Sequence, residues 1–182
     1  MRHFLILGLL ALGGCQSFTP TQPMPGMPAT VESVDVPRYL GTWFEQARLP
    51  IFFQDGPDVR CEDVTAIYTP RPDGAVDVLN TCRNALQGGA RRAATAVATP
   101  VPGSNNARLR VSFFWPFHGD YWVLGLDPDY RWAVVGSPSR RVLWILSRST
   151  EMPPADYEQA VAIAAREGFP VQNLQRTPQS PR

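Results

Sequence analysis

The chain has 182 residues and a formal net charge of +1. So even a balance supplies no field to steer a polyanion, and the arginines form no basic stripe, so nucleic acid is not an expected partner. His3 and His118 are the only histidines, which leaves metal-ligand and imidazole general-base chemistry almost nothing to work with, and neither a metal nor a cofactor is expected.

In chain order, Met1-Arg2-His3 is a short basic start and Phe4 to Leu12 an unbroken apolar or small run. That run is too short to span a bilayer and reads as the apolar stretch of a secretory signal. Leu12-Gly13-Gly14-Cys15 follows, with small residues giving a peptidase access to the backbone just before a cysteine. The pattern resembles a bacterial lipobox. It implies a lipoprotein signal peptide over 1–14 and acylation of Cys15, which becomes the mature N-terminus. An ordinary signal peptide with an incidental cysteine is the alternative. Gln16, where an Asp would favour inner-membrane retention, implies the outer membrane, with the protein facing the periplasm. Residues 15–35 then form the acylated N-terminus and a tether. Pro20, Pro23, Pro25 and Pro28 exclude regular helix and central strand. Such a segment extends by about 3 Å per residue and holds a folded domain clear of the membrane.

The folded domain is expected over 36–176. Short apolar runs broken by Pro, Gly, Asp and Asn read as strands at Thr42–Leu49, Asp63–Tyr68, Ala75–Thr81, Arg91–Thr99, Ala107–Phe114, Tyr121–Leu126, Arg131–Gly136 and Val142–Ser147. The fourth is the weakest. Asp73-Gly74 marks a tight hairpin between the second and third. A helix follows: Pro153 and Pro154 suit its first turn, Asp156 and Glu158 its positive end, Arg166 its negative end, and Gly168 its stop. Tyr157, Ala160, Val161 and Ala164 share one helical face. Residues 177–182 read as a loose tail. The fold class predicted is all-β: an eight-stranded antiparallel up-and-down β-barrel with one C-terminal α-helix packed outside. Closure removes sheet edges that would otherwise aggregate, and eight strands enclose room for packed side chains or one small ligand.

Three stretches carry a family resemblance. Val34 to Arg48 contains Gly41-x-Trp43; Asp127-Pro128-Asp129-Tyr130-Arg131-Trp132 lies between strands six and seven; Leu143-Trp144-Ile145-Leu146-Ser147-Arg148 ends in an arginine. They resemble the three lipocalin signatures, in the right order and spacing over about residues 34–174. The segment Val111 to Val123, with Phe113-Phe114-Trp115-Pro116-Phe117, resembles bacterial outer-membrane and apolipoprotein D-like lipocalins. The resemblance implies structural roles for Gly41, Trp43 and Arg148: Gly41 turns the chain into strand one, and Trp43 plugs the closed end. Arg148 lies across that indole, a cation–π contact of about 0.5–2 kcal/mol. It also implies that the open end takes a hydrophobic small molecule.

Strand alternation nominates the pocket residues. Glu45 and Ala47 share a face with Trp43. Ala66 and Val78 point inward from strands two and three, Leu109, Val111 and Phe113 from strand five, and Tyr121 and Val123 from strand six. Trp122 and Leu124 fit instead if that register slips. Glu45 is polar and predicted inside; a ligand head group or Tyr and Arg partners both suit it. Cys61 and Cys82 flank the hairpin of strands two and three, and a disulfide between them closes a loop worth roughly 3 kcal/mol; two free thiols are the alternative. Their register sum is odd where the inward pattern needs an even one, so the disulfide requires a bulge.

The leading function is a binding module anchored in the outer membrane that carries fatty acids, lysophospholipids or similar lipids. No catalytic residues are assigned. Two other readings stay open: an enzyme using a pocket cysteine as nucleophile, and a structural envelope lipoprotein with a filled barrel and protein partners. Trp115 and Phe117 at the rim also suit a homodimer contact.

Overall fold

A computed structural model describes residues 26–180. The segment 1–14, Cys15 and the first part of the tether lie outside the described residues. Eight strands follow one another as β1 (Gly41–Arg48), β2 (Cys61–Pro70), β3 (Val76–Asn84), β4 (Ala90–Pro100), β5 (Arg108–Phe114), β6 (Phe117–Leu126), β7 (Trp132–Gly136) and β8 (Leu143–Ser147). Each pairs antiparallel with the next, β8 returns to β1, and β1 also pairs with β2. The sheet is therefore a closed barrel. A short helix α1 (Val36–Tyr39) precedes β1, and α2 (Pro154–Arg166) follows β8.

Local chemistry accounts for the turns. At the β2–β3 hairpin, Gly74 adopts φ +82°, and the Arg71 N–H donates to the Ala75 carbonyl at 3.0 Å. In the β6–β7 turn, the Asp127 carboxylate accepts from the backbone N–H groups of Asp129 and Arg131 and from the Arg131 guanidinium. The chain leaves α2 through Gly168 at φ +81°, the stop expected from sequence.

Among the described residues two large apolar cores result, beside a small cluster of Cys61, Val64 and Cys82. Inside the barrel, Trp43, Tyr68, Val78, Ala98, Val123, Val135 and Leu146 pack together. Outside, Ala160 and Ala164 of α2 press on Trp122, Trp132, Val134 and Ile145. The helix lies close because Gly125 has no side chain beneath it: a Cβ there would stand 2.9 Å from Ile163 Cδ1. This is the outward-packed helix the sequence predicts.

Bulges decide which residues face which core. In β1, Glu45 opposes Leu146 while Ala47 opposes Ile145, so Gln46 is the extra residue. Beyond it the faces exchange. Ala47, expected to point inward, packs in the outer core beneath the helix, and Arg48 turns inward in its place. In β2, a shift between Glu62 and Thr65, with Asp63 at φ 51°, brings Cys61 and Cys82 to a Cα–Cα distance of 5.4 Å, and they form a disulfide. This is the bulge the odd register sum demands. In β6, Tyr121 and Val123 face inward while Trp122 and Leu124 face the helix, so the first of the two registers holds.

The tether, expected to be extended, and the tail, expected to be loose, are both docked in their described parts. The later part of the tether, 26–35, lies along the barrel: Ala29 N–H donates to Glu167, Val31 N–H to the Val123 carbonyl and Val34 N–H to the Asn105 carbonyl. The tail also packs. β9 (Gln175–Arg176) pairs with the end of β1 where β2 diverges. Thr177 is buried, and the Gln179 amide donates to the carbonyls of Glu45 and Val64, bridging β1 and β2. Backbone carbonyls left open by the splayed strands, those of Glu45, Gln46 and Val64, select this packing over a solvated end.

Candidate functional site: the barrel interior and its mouth

Strand direction assigns the two ends. The connections 71–75, 101–107 and 127–131 lie at the end holding α1; the connections 49–60, 85–89, 115–116 and 137–142 lie at the other. The first end is closed. Gly41 turns into β1 at φ +90°, and the fully buried Trp43 donates its indole N–H to the Tyr39 carbonyl at 2.8 Å. The Arg148 guanidinium sits 3.8 Å above the Trp43 ring centroid and donates to the carbonyls of Thr42 and Arg38. Burial lowers the Arg148 pKa. Gly41, Trp43 and Arg148 thus stand where the sequence reading puts them.

Above this plug lie three phenols. Tyr121 Oη is 2.8 Å from Tyr39 Oη and 2.9 Å from Tyr68 Oη. Burial raises all three pKa values, that of Tyr68 to about 12, so the phenols are neutral at physiological pH. Three hydroxyl protons and two mutual hydrogen bonds leave one proton for a further acceptor.

The wall above is apolar and built largely from small residues. Val78 is buried; Ala66, Leu109 and Val111 pack against the same cluster, and Ala96, Ala98, Ala107 and Ala133 belong to it. Phe113, expected in the same row, is instead 42% exposed near the mouth. A shift between Val111 and Phe114 interrupts the β5–β6 ladder there. Ala47 is absent from this wall, for the reason given above.

A polar cluster stands near the mouth. The Arg48 guanidinium is buried and uses all five of its N–H donors: Nε and Nη2 on Asp55, Nη1 on Glu45 and Thr177, and Nη2 also on the Cys61 carbonyl. Glu45 accepts from Arg48 at 2.6 Å, from Thr177, and from the Gln54 amide at 2.8 Å. Gln54 in turn accepts from the Trp144 indole. Burial opposes the charge on Arg48, but Asp55 and Glu45 outweigh it and raise its pKa. Burial likewise acts to raise Asp55, while Arg48 and the Ile51 N–H outweigh it and hold the carboxyl below its ordinary value. Of the two partners considered for Glu45, an arginine occupies it, though no tyrosine does. Arg48, Gln54, Asp55 and Thr177 escaped the sequence reading, because strict alternation places Arg48 outside and nothing local marks the bulge.

Among the described residues no group of three or more His, Cys, Asp or Glu is placed to hold a metal. Cys61 and Cys82, which pack with Val59 and Val64, are joined in the disulfide, so neither offers a thiolate nucleophile.

A family model described as a lipocalin-like domain matches residues 34–179. The chain is 41% identical over 162 residues to temperature-induced lipocalin-1 of Arabidopsis thaliana, with 82% of each chain covered. It is 41% identical over 158 residues to the outer membrane lipoprotein Blc of Escherichia coli, covering 86% of this chain and 84% of that one. Insecticyanin from the tobacco hornworm Manduca sexta superposes with a TM-score of 0.65 at 16% identity, over 89% of this chain and 88% of that one, a likeness of fold alone.

Proposed function

The chain belongs to the lipocalin family, and from that premise we propose that it carries fatty acids, lysophospholipids or similar lipids at the outer membrane. Cys15 is its acyl anchor and the periplasm is the side it faces. The observation that carries this reading is the inward face of the closed barrel: Ala66, Val78, Ala96, Ala98, Leu109 and Val111 form a continuous apolar lining of small and medium side chains. An alkyl tail gains about 25 cal/mol for each Å² of apolar surface withdrawn from water, less the cost of ordering the tail. The free hydroxyl proton among Tyr39, Tyr68 and Tyr121 supports a polar atom deep in the cup, and the name of the outer membrane lipoprotein to which the chain is similar supports the location. The saturated Glu45–Arg48 cluster favours a wall element over a head-group site, so Glu45 is expected to contact ligand weakly.

The test is native mass spectrometry of protein purified from its own envelope, followed by extraction of bound lipid and displacement of a fluorescent fatty-acid analogue. A stoichiometric lipid and competitive displacement are expected. A delipidated, folded barrel that binds no such analogue overturns the carrier assignment.

A further inference from the structure

The large apolar side chains left exposed on this barrel gather at its mouth. Phe52 (81% exposed) lies in the β1–β2 loop, Leu86 (50%) in the β3–β4 turn, and Phe114 (79%), Trp115 (90%) and Phe117 (77%) in the β5–β6 hairpin. The turns at the closed end expose no large apolar side chain. Clustered exposure of this kind marks an interaction surface, and tryptophan at a protruding tip suits the boundary between lipid head groups and acyl chains.

Two observations select a bilayer as the occupant. The first is charge. Arg60, Arg91, Arg92 and Arg141 are exposed at the same end, while the exposed carboxylates there are Asp58 and Asp120. Two copies meeting mouth to mouth would oppose arginine to arginine, whereas an anionic leaflet attracts them. The second is where the described chain ends. Arg140, in the β7–β8 connection at the mouth, donates to the Gly26 carbonyl at 3.0 Å. From Gly26 the chain runs past Glu167 towards the closed end. The described chain therefore begins at the mouth end, and a span from Gly26 back to Cys15 would reach on the order of 35 Å if fully extended.

We propose that the mouth docks on the anionic leaflet holding the chain's own acyl anchor, with the Phe114–Phe117 hairpin set among the head groups and the barrel opening towards the lipid. The orientation rests on the reading of Cys15 as acylated. It goes beyond carriage: lipid enters or leaves the cup directly from the leaflet, without crossing water.

The experiment uses the protein purified from its envelope and reconstituted into vesicles of phosphatidylethanolamine and phosphatidylglycerol bearing bromine on their acyl chains. Subtracting the signal of Trp115→Phe isolates the emission of Trp115. Quenching of that emission by brominated lipid, with shielding from aqueous acrylamide, is expected. The double substitution Phe114→Ser with Phe117→Ser, both at exposed positions, should lose most of the quenching while keeping binding of the fatty-acid analogue in detergent. Raised salt should weaken the quenching. Trp115 open to acrylamide and untouched by bromine, in protein that still floats with the vesicles, overturns the proposal. So does a Trp115 shielded from both quenchers in protein of doubled native mass, since a second copy would then cover the rim. Intact mass reads the acyl groups separately: quenching without them keeps the docking surface and removes the anchor, and neither present removes both. Loss of analogue binding with quenching intact fails the carrier reading alone.

Discussion

Arg48 shows how much one inserted residue decides. Gln46 bulges out of β1, Arg48 swings inside, and its five donors meet Glu45, Asp55, Thr177 and the Cys61 carbonyl. Breaking a buried ion pair from one side leaves an uncompensated charge, at a cost of about 3–5 kcal/mol. Arg48→Met should therefore destabilise by that order in urea denaturation. The double variant Arg48→Met with Glu45→Gln should recover part of the loss, and an additive double variant would show that the two do not interact. The same cluster sets a pH dependence. Asp55, held by Arg48, and Asp127, held by Arg131, have pKa values below their ordinary value of 3.8. A carboxyl depressed in the folded state contributes stability that is complete above its unfolded value and drains away as pH falls through the folded one. Urea stability should thus decline from about pH 4 downwards, and Asp55→Asn should flatten part of that slope.

At the scale of elements, the barrel wall depends on pieces that carry little strand signal of their own. β4 was expected to be the weakest strand, yet its residues Ala90–Ala98 are in register with β3 along their whole length. Tertiary pairing outweighs its alanine-rich composition. The tail is the opposite surprise. Its polar, proline-containing sequence reads as solvated, but Thr177 and Gln179 fill the gap between β1 and β2. Cutting the chain after Leu174 should lower the thermal midpoint by several degrees, because Glu45, Arg48 and the open strand edges lose their partners. An unchanged midpoint would mean that water replaces the tail at no cost. The disulfide and the helix were both legible: Cys61 and Cys82 through the turn between them, α2 through its proline start, periodic alanines and Gly168.

For the whole molecule, the working feature is a closed cup with an apolar lining and an aromatic rim. If the interior takes the alkyl tail, Ala98→Trp should lower affinity for a fatty-acid analogue about tenfold or more by filling that space, while near-native circular dichroism shows the barrel intact. Unaltered affinity would place the ligand elsewhere. The closed end should not respond in this way: Trp43→Phe acts on stability, through the lost indole hydrogen bond to the Tyr39 carbonyl and a weaker Arg148 contact, and leaves the lining unchanged.

Local pattern was enough for the eight barrel strands, though not for β9, and for the outer helix and the plug of Gly41, Trp43 and Arg148, because alternation, turn residues and signature spacing are properties of neighbouring residues. The inward faces of Ala66, Val78, Leu109 and Val111 followed from the same alternation. Only the assembled barrel decided that Ala47 faces the helix, that Arg48 and Thr177 join Glu45, and that the chain on either side of the barrel is docked on it. A bulge shifts every later residue by one face, and whether it forms depends on partners far along the chain, which no local pattern records.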